Sequence, residues 1–139
     1  MEGGKRNHPE DDLQKRVVST LRMSPGLLVF AVPNGGKRGK IEAARLYGLG
    51  VMAGIPDLVV CWHPGRVAFV ELKAPGKVTG KKRPLAALSE EQFARYGWLQ
   101  TREFPVTVCD SVEGVEEFLK AHGAPVATTT RTLAREVGA

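Results

Sequence analysis

Two cysteines and three histidines are all that this 139-residue chain carries of the common soft metal ligands. Cys61 and Cys109 lie in separate apolar stretches without Cys-x-x-Cys spacing, and His8, His63 and His122 show no ligand spacing. This argues against a zinc site or a disulfide framework, and both cysteines are expected as reduced core thiols. No apolar run is long enough to span a bilayer, and the opening Met-Glu-Gly-Gly-Lys-Arg lacks the apolar core of a signal peptide. A cytoplasmic protein is therefore expected. The chain is also too short for a second substantial domain.

What is present is a hydrophobic content of 42%, enough for one real core, and a net charge of +5. That charge is consistent with ordinary solubility, but the basic residues gather in two segments, and clustered cations favour an anionic partner such as nucleic acid.

The stretch from Gly54 to Lys73 organises the rest. Leu58 to Trp62 and Val67 to Lys73 read as two strands, with His63-Pro64-Gly65-Arg66 as the turn between them. Pairing Trp62 with Val67 puts Asp57 opposite Leu72 and beside Glu71 and Lys73. Glu71 and Lys73 then share one face, while Val70 and Leu72 point into the core. Two carboxylates and an ammonium at one strand end cost stability, and a bound cation would relieve that cost. Asp57, Glu71 and the main-chain carbonyl of Leu72 form a hard-oxygen set suited to Mg2+ or Mn2+. With Lys73 beside them the chemistry is that of phosphodiester hydrolysis. A lone Glu-x-Lys arises by chance about once in two or three chains of this length. The upstream Gly-x-Pro-Asp with a turn in register makes the set more specific than an ordinary surface ion pair.

Residues 1–8 are small, polar and charged, and are expected to be flexible. From Pro9 a helix is predicted, with Leu13, Val17 and Leu21 on one face. Glu10 lies at its start, where it can either reach a metal or simply interact with the helix dipole. Leu27 to Val32 reads as a buried strand ended by Pro33-Asn34-Gly35-Gly36. Lys37, Arg38 and Lys40 follow as a first basic loop beside glycines that permit close backbone approach to a phosphate. Ile41 to Leu49 is predicted helical, with Ala43, Ala44 and Tyr47 towards the apolar side and Gly48 and Gly50 as stops.

After the hairpin, Ala74-Pro75-Gly76 breaks the strand, and Lys77, Lys81, Lys82 and Arg83 form a second basic loop expected to hold substrate. Ser89-Glu90-Glu91-Gln92 is a capping-box pattern opening a helix with Phe93, Tyr96, Trp98 and Leu99. Gln92 has two readings, a cap for its own helix or a residue touching Lys73 or a phosphate. Val106 to Cys109 reads as a strand, and Ser111 caps a helix carrying Val112, Val115, Phe118 and Leu119. The tail from Gly123 to Ala139 is expected to be flexible or weakly helical.

In chain order, Val32-Pro33-Asn34-Gly35-Gly36, Gly54-Ile55-Pro56-Asp57-Leu58, Glu71-Leu72-Lys73 and Leu88-Ser89-Glu90-Glu91-Gln92 resemble the VRR-NUC family of the PD-(D/E)xK nuclease superfamily. The likeness runs from Glu10 to about Lys120. It implies an α/β fold, a mixed central sheet flanked by helices with a restriction-endonuclease-like core, over a domain spanning residues 9–122. It also implies divalent-metal-dependent cleavage of DNA. Carried over by position, Asp57, Glu71 and Glu10 match the acidic metal-site residues, Lys73 the catalytic lysine and Gln92 the supporting glutamine. Stand-alone members look like phage or bacterial proteins that act as homodimers on branched DNA such as four-way junctions. Two departures stand out: the basic insertion from Lys77 to Arg83, and Glu103-Phe104 where the family has a helix-ending glycine. The competing expectations are a DNA-binding module of the same fold that does not cut, and a nuclease subunit that needs a partner for targeting.

Overall fold

The structure is a computed structural model that describes residues 8–33 and 39–127. Four strands form one mixed sheet in the order β1 (Leu28–Ala31), β2 (Leu58–Trp62), β3 (Arg66–Leu72) and β4 (Val106–Cys109). The first two pairs are antiparallel, and β4 joins β3 in parallel. The helices are α1 (Pro9–Leu21), α2 (Lys40–Gly48), α3 (Glu90–Thr101) and α4 (Val112–Ala121).

Helix α1 starts as the sequence predicts, with Pro9 in the first turn and Leu13, Val17 and Leu21 buried. These pack with Val115 and Leu119 of α4 against Val60, Val70 and Leu72 of the sheet. Alternation along β3 sends Phe69 and Glu71 to the opposite face. There Phe69 meets the Phe104 ring edge-on at 6.1 Å, just beyond the end of α3. Among the described residues no helix is long and apolar enough to cross a membrane, and both cysteines are free.

The hairpin register differs from the sequence expectation by one residue: Trp62 pairs with Arg66, not Val67, and Leu58 with Val70. The physical reason is the turn, which is the three-residue His63-Pro64-Gly65, with Gly65 in the left-handed region at φ 63°. A glycine there closes the hairpin one position earlier. Continuing the register puts Asp57 opposite Glu71 instead of Leu72. Directly opposed residues share a face, so the shift itself brings the two carboxylates to the same side of the sheet.

Three further expectations change. Strand β1 is an edge strand, and although Val29 is buried, Leu28 and Phe30 are exposed. Helix α2 buries no residue, and Tyr47 is 74% and Ile41 89% exposed; it is Leu46, not Ala43, Ala44 or Tyr47, that turns partly inward. The chain past Gly123 begins by docking on the body. Ala124 is buried, and the Ala127 N–H donates to Ser24 Oγ at 2.7 Å. Residues 128–139 lie outside the described residues.

Candidate active site

Three local features position the site. Asp57 stands at the entrance to β2, where its backbone carbonyl accepts from the Val32 N–H at 2.9 Å. Its side-chain Oδ2 accepts from the Leu72 N–H at 2.8 Å. That bond crosses from one hairpin strand end to the other and fixes the carboxylate beside Glu71.

Glu71 is only 3% exposed. Its Oε2 accepts from Gln92 Nε2 at 3.0 Å and lies 3.9 Å from Lys73 Nζ. Its Oε1 is buried with no hydrogen-bond partner. The carboxyl is pushed up from 4.5 to about 8, first by burial and then by the Asp57 carboxylate, with Lys73 pulling the other way and Glu10 adding a smaller upward push. An ionised carboxylate that is buried beside a second carboxylate is costly, so this group favours its neutral form.

Lys73 follows β3 and is tied to β4 by its N–H, which donates to the Cys109 carbonyl at 2.9 Å. Its Nζ donates to Gln92 Oε1 at 2.7 Å. The same Oε1 accepts the Ser89 N–H at 2.9 Å, while the Gln92 N–H donates to Ser89 Oγ at 3.2 Å. Gln92 therefore satisfies both sequence readings: it completes the capping box of α3 and also holds Lys73 and Glu71. A primary amide has two acceptor lone pairs and two donor hydrogens, which allows this double use.

Gly54 explains how α3 comes this close. It adopts φ +83°, and a Cβ there would lie 2.5 Å from the Glu91 carbonyl carbon and oxygen and 2.8 Å from Gln92 N. The turn before Asp57 thus packs directly on the first turn of α3. Arg95 Nε reinforces the contact by donating to the Ala53 carbonyl at 3.2 Å. Tyr96, on the same helix, turns towards β4, with its hydroxyl 3.5 Å from the Val106 carbonyl.

Glu10 lies exposed in the first turn of α1. It is near enough for its charge to act on Glu71. Among the described residues, however, no group of three or more His, Cys, Asp or Glu is gathered closely enough to hold a metal ion. The donor chemistry nonetheless suits a hard divalent cation: Asp57 and Glu71 offer carboxylate oxygens on one face, and Glu71 Oε1 is an orphaned acceptor.

Of the basic residues, Lys77, Lys81, Lys82 and Arg83 line one open groove of ≈ 430 Å³ with Ala86 and Ala87. Lys40 is the exposed first residue of α2. Lys37 and Arg38 lie outside the described residues. Sequence reading missed Asp110, the buried residue just past β4. Its Oδ2 accepts N–H bonds from Gly76 at 3.0 Å, Val78 at 2.9 Å and Thr79 at 2.8 Å, and its Oδ1 accepts the Thr79 hydroxyl. Burial pushes this carboxyl up, but the bonds from Thr79, Val78 and Gly76 outweigh it and hold it below its usual range. A lone Asp between a strand and a capping Ser carries little signal by itself.

A mixed sheet with helices on both faces, and an acidic pair with a lysine at the end of its central hairpin, defines a restriction-endonuclease-like α/β fold. The sequence pattern of the VRR-NUC domain matches residues 8–113, and the chain belongs to the VRR-NUC family, a nuclease family. Two solved structures are similar in fold. One, described as a VRR-NUC domain, has 22% identity and TM-score 0.55 over 84% of this chain and 98% of that one. The other, a VRR-NUC domain protein, has 19% identity and TM-score 0.56 over 84% of this chain and 88% of that one. A comparison with curated proteins found no match.

Proposed function

We propose that the protein is a divalent-metal-dependent endonuclease that hydrolyses DNA phosphodiester bonds. It prefers branched DNA such as four-way junctions, and acts as a cytoplasmic homodimer using Mg2+ or Mn2+. The observation that carries the reading is Glu71, a buried carboxylate with one unpartnered oxygen, opposite Asp57 and 3.9 Å from a lysine ammonium. A purely structural ion pair would use both oxygens and would not place a second carboxylate alongside.

Asp57, Glu71 and the Leu72 carbonyl would hold the cation, with Glu10 contributing from α1. A cation bound there would supply polarisation of a phosphoryl oxygen and a lowered pKa for the attacking water. The chain's own part is orientation and charge. Gln92 holds the Lys73 ammonium towards Glu71, where it orients the nucleophile and offsets negative charge developing on the phosphate. Lys77, Lys81, Lys82 and Arg83 bind backbone phosphates in their groove, with Lys37, Arg38 and Lys40 as a second contact. The intact acidic pair and lysine favour a cutting enzyme over a module that only binds. The exposed apolar Ile41 and Tyr47 of α2 and Leu28 and Phe30 of β1 support a homodimer, since surface of this kind is commonly covered in an assembly.

The test is cleavage of labelled linear, flapped, splayed and four-way-junction DNA with Mg2+, Mn2+ or chelator, comparing wild type with Glu71→Ala and Lys73→Ala. Each substitution is expected to cost about a hundredfold or more in rate. Cleavage within a few-fold of wild type in either variant would show that the site is wrongly assigned. Symmetric cuts confined to the junction would support the branched substrate and the dimer.

A further inference from the structure

We infer that Asp110 is a positioning residue for DNA binding, a clamp that shapes the basic loop following Lys73 before any substrate arrives. The inference rests on the proposed role of that loop as a phosphate contact.

The loop from Ala74 to Gly80 has little apolar content to fold on. It is held instead by turn bonds, Lys77 N–H to the Ala74 carbonyl and Lys81 N–H to the Val78 carbonyl, each at 3.1 Å. Gly76 and Gly80 supply left-handed backbone at φ 88° and 79°. Beneath it lies the carboxylate of Asp110, 4% exposed, taking the N–H groups of Gly76, Val78 and Thr79 together with the Thr79 hydroxyl. Because β4 runs parallel to β3, with the Lys73 N–H bonded to the Cys109 carbonyl, Asp110 emerges next to the start of the loop. One side chain just past the end of the neighbouring strand thus fixes the backbone that leads from Lys73 to Lys77, Lys81, Lys82 and Arg83.

Two opposing effects follow, and their signs separate the reading from its rival. As a charge, Asp110 sits under a groove of four cations and weakens their pull on DNA, so its removal would tighten binding if Coulomb attraction alone mattered. As a clamp, it has already ordered the loop. Its removal would make each binding event carry the ordering cost, and the cations would no longer hold one spacing. Charge-assisted hydrogen bonds to a buried carboxylate are strong and directional, and we assign the larger effect to the clamp.

The experiment compares wild type, Asp110→Ala, Asp110→Asn and Thr79→Val for DNA affinity, salt dependence, and kcat and KM of metal-dependent cleavage. Amide hydrogen exchange at Gly76, Val78 and Thr79 is followed in parallel. Asp110→Ala is expected to raise Kd and KM by about tenfold, to flatten the salt slope, to speed exchange at the three amides, and to change kcat little. Asp110→Asn keeps one oxygen for the three N–H groups and a donor for the Thr79 hydroxyl, and is expected to recover most of the affinity. Thr79→Val, which removes one bond and no charge, falls between wild type and Asp110→Ala. If Asp110→Ala does not fold, the order Asp110→Asn weaker than wild type, with Thr79→Val also weaker, carries the same test. Equal or tighter binding in the Asp110 variants, with wild type binding and cutting normally, would overturn the clamp and leave the nuclease reading intact. A wild type that neither binds nor cuts DNA would overturn both.

Discussion

Gly54 and Gln92 stand so close that a Cβ on the glycine would come within 2.8 Å of the glutamine's backbone nitrogen. That contact joins the two halves of the site. The turn bearing Gly54 leads into Asp57, and Gln92 reaches from the first turn of α3 to Lys73 and Glu71.

Gly54→Ala should therefore destabilise the fold and misplace Gln92. The alanine methyl meets backbone atoms of Glu91 at 2.5 Å, at a φ of +83° that L-residues avoid. The expected loss is about 2–4 kcal/mol in urea unfolding. A loss below about 0.5 kcal/mol would mean that the two segments separate freely.

Gln92 can be dissected with two substitutions. Gln92→Ala removes the cap contact to Ser89 N–H and both side-chain bonds, and should cost about 1 kcal/mol in stability as well as most of the cleavage rate. Gln92→Glu keeps an acceptor for Ser89 N–H and Lys73 but sets a third carboxylate against Glu71 Oε2. It should retain the cap and still cleave poorly. Cleavage by Gln92→Glu at the wild-type rate would reduce the glutamine to a helix cap.

Glu71 makes stability depend on pH in a defined direction. Its folded-state pKa is raised from 4.5 to about 8, so the folded protein binds this proton more tightly than the unfolded chain. Its stabilising contribution is complete below pH 4.5 and is lost as pH rises towards 8. In metal-free buffer, Glu71→Gln should be more stable than wild type near pH 8 and nearly equal to it at the acidic end. Mn2+ should raise the melting temperature of wild type at pH 8 and leave that of Glu71→Gln unchanged. Equal urea midpoints for the two proteins at every pH would contradict the shift.

Glu103 occupies a position that favours glycine. Helices α2, α3 and α4 end alike, with Gly50, Glu103 and Gly123 at positive φ of 99°, 65° and 81°. In each, the next residue's N–H returns to the last turn: Val51 to Leu46, Phe104 to Leu99 and Ala124 to Leu119. Only the middle one of these three carries a side chain. Glu103→Gly should stabilise the protein by about 0.5–1 kcal/mol, because relief of left-handed strain exceeds the added freedom of the unfolded chain. A lower melting temperature would indicate that the Glu103 side chain has a compensating contact.

Much of this molecule follows from near neighbours in sequence. The Leu13, Val17 and Leu21 stripe, the Ser89 and Ser111 caps, the glycine stops and the two strands flanking Gly65 depend on interactions within a few residues. The chemical identity of the acidic pair and lysine was likewise readable from Asp57, Glu71 and Lys73. What required the tertiary structure is whatever depends on a partner far along the chain. Gly65 closed the hairpin one residue early and so brought Asp57 to the face of Glu71. Gln92 became a clamp as well as a cap only because Gly54 lets α3 approach the hairpin. Leu28 and Phe30 read as core but lie exposed, because strand periodicity reports an apolar face without reporting whether a helix covers it. Asp110 had no local signature, since its partners lie 31 to 34 residues away and meet it only through the parallel pairing of β3 with β4.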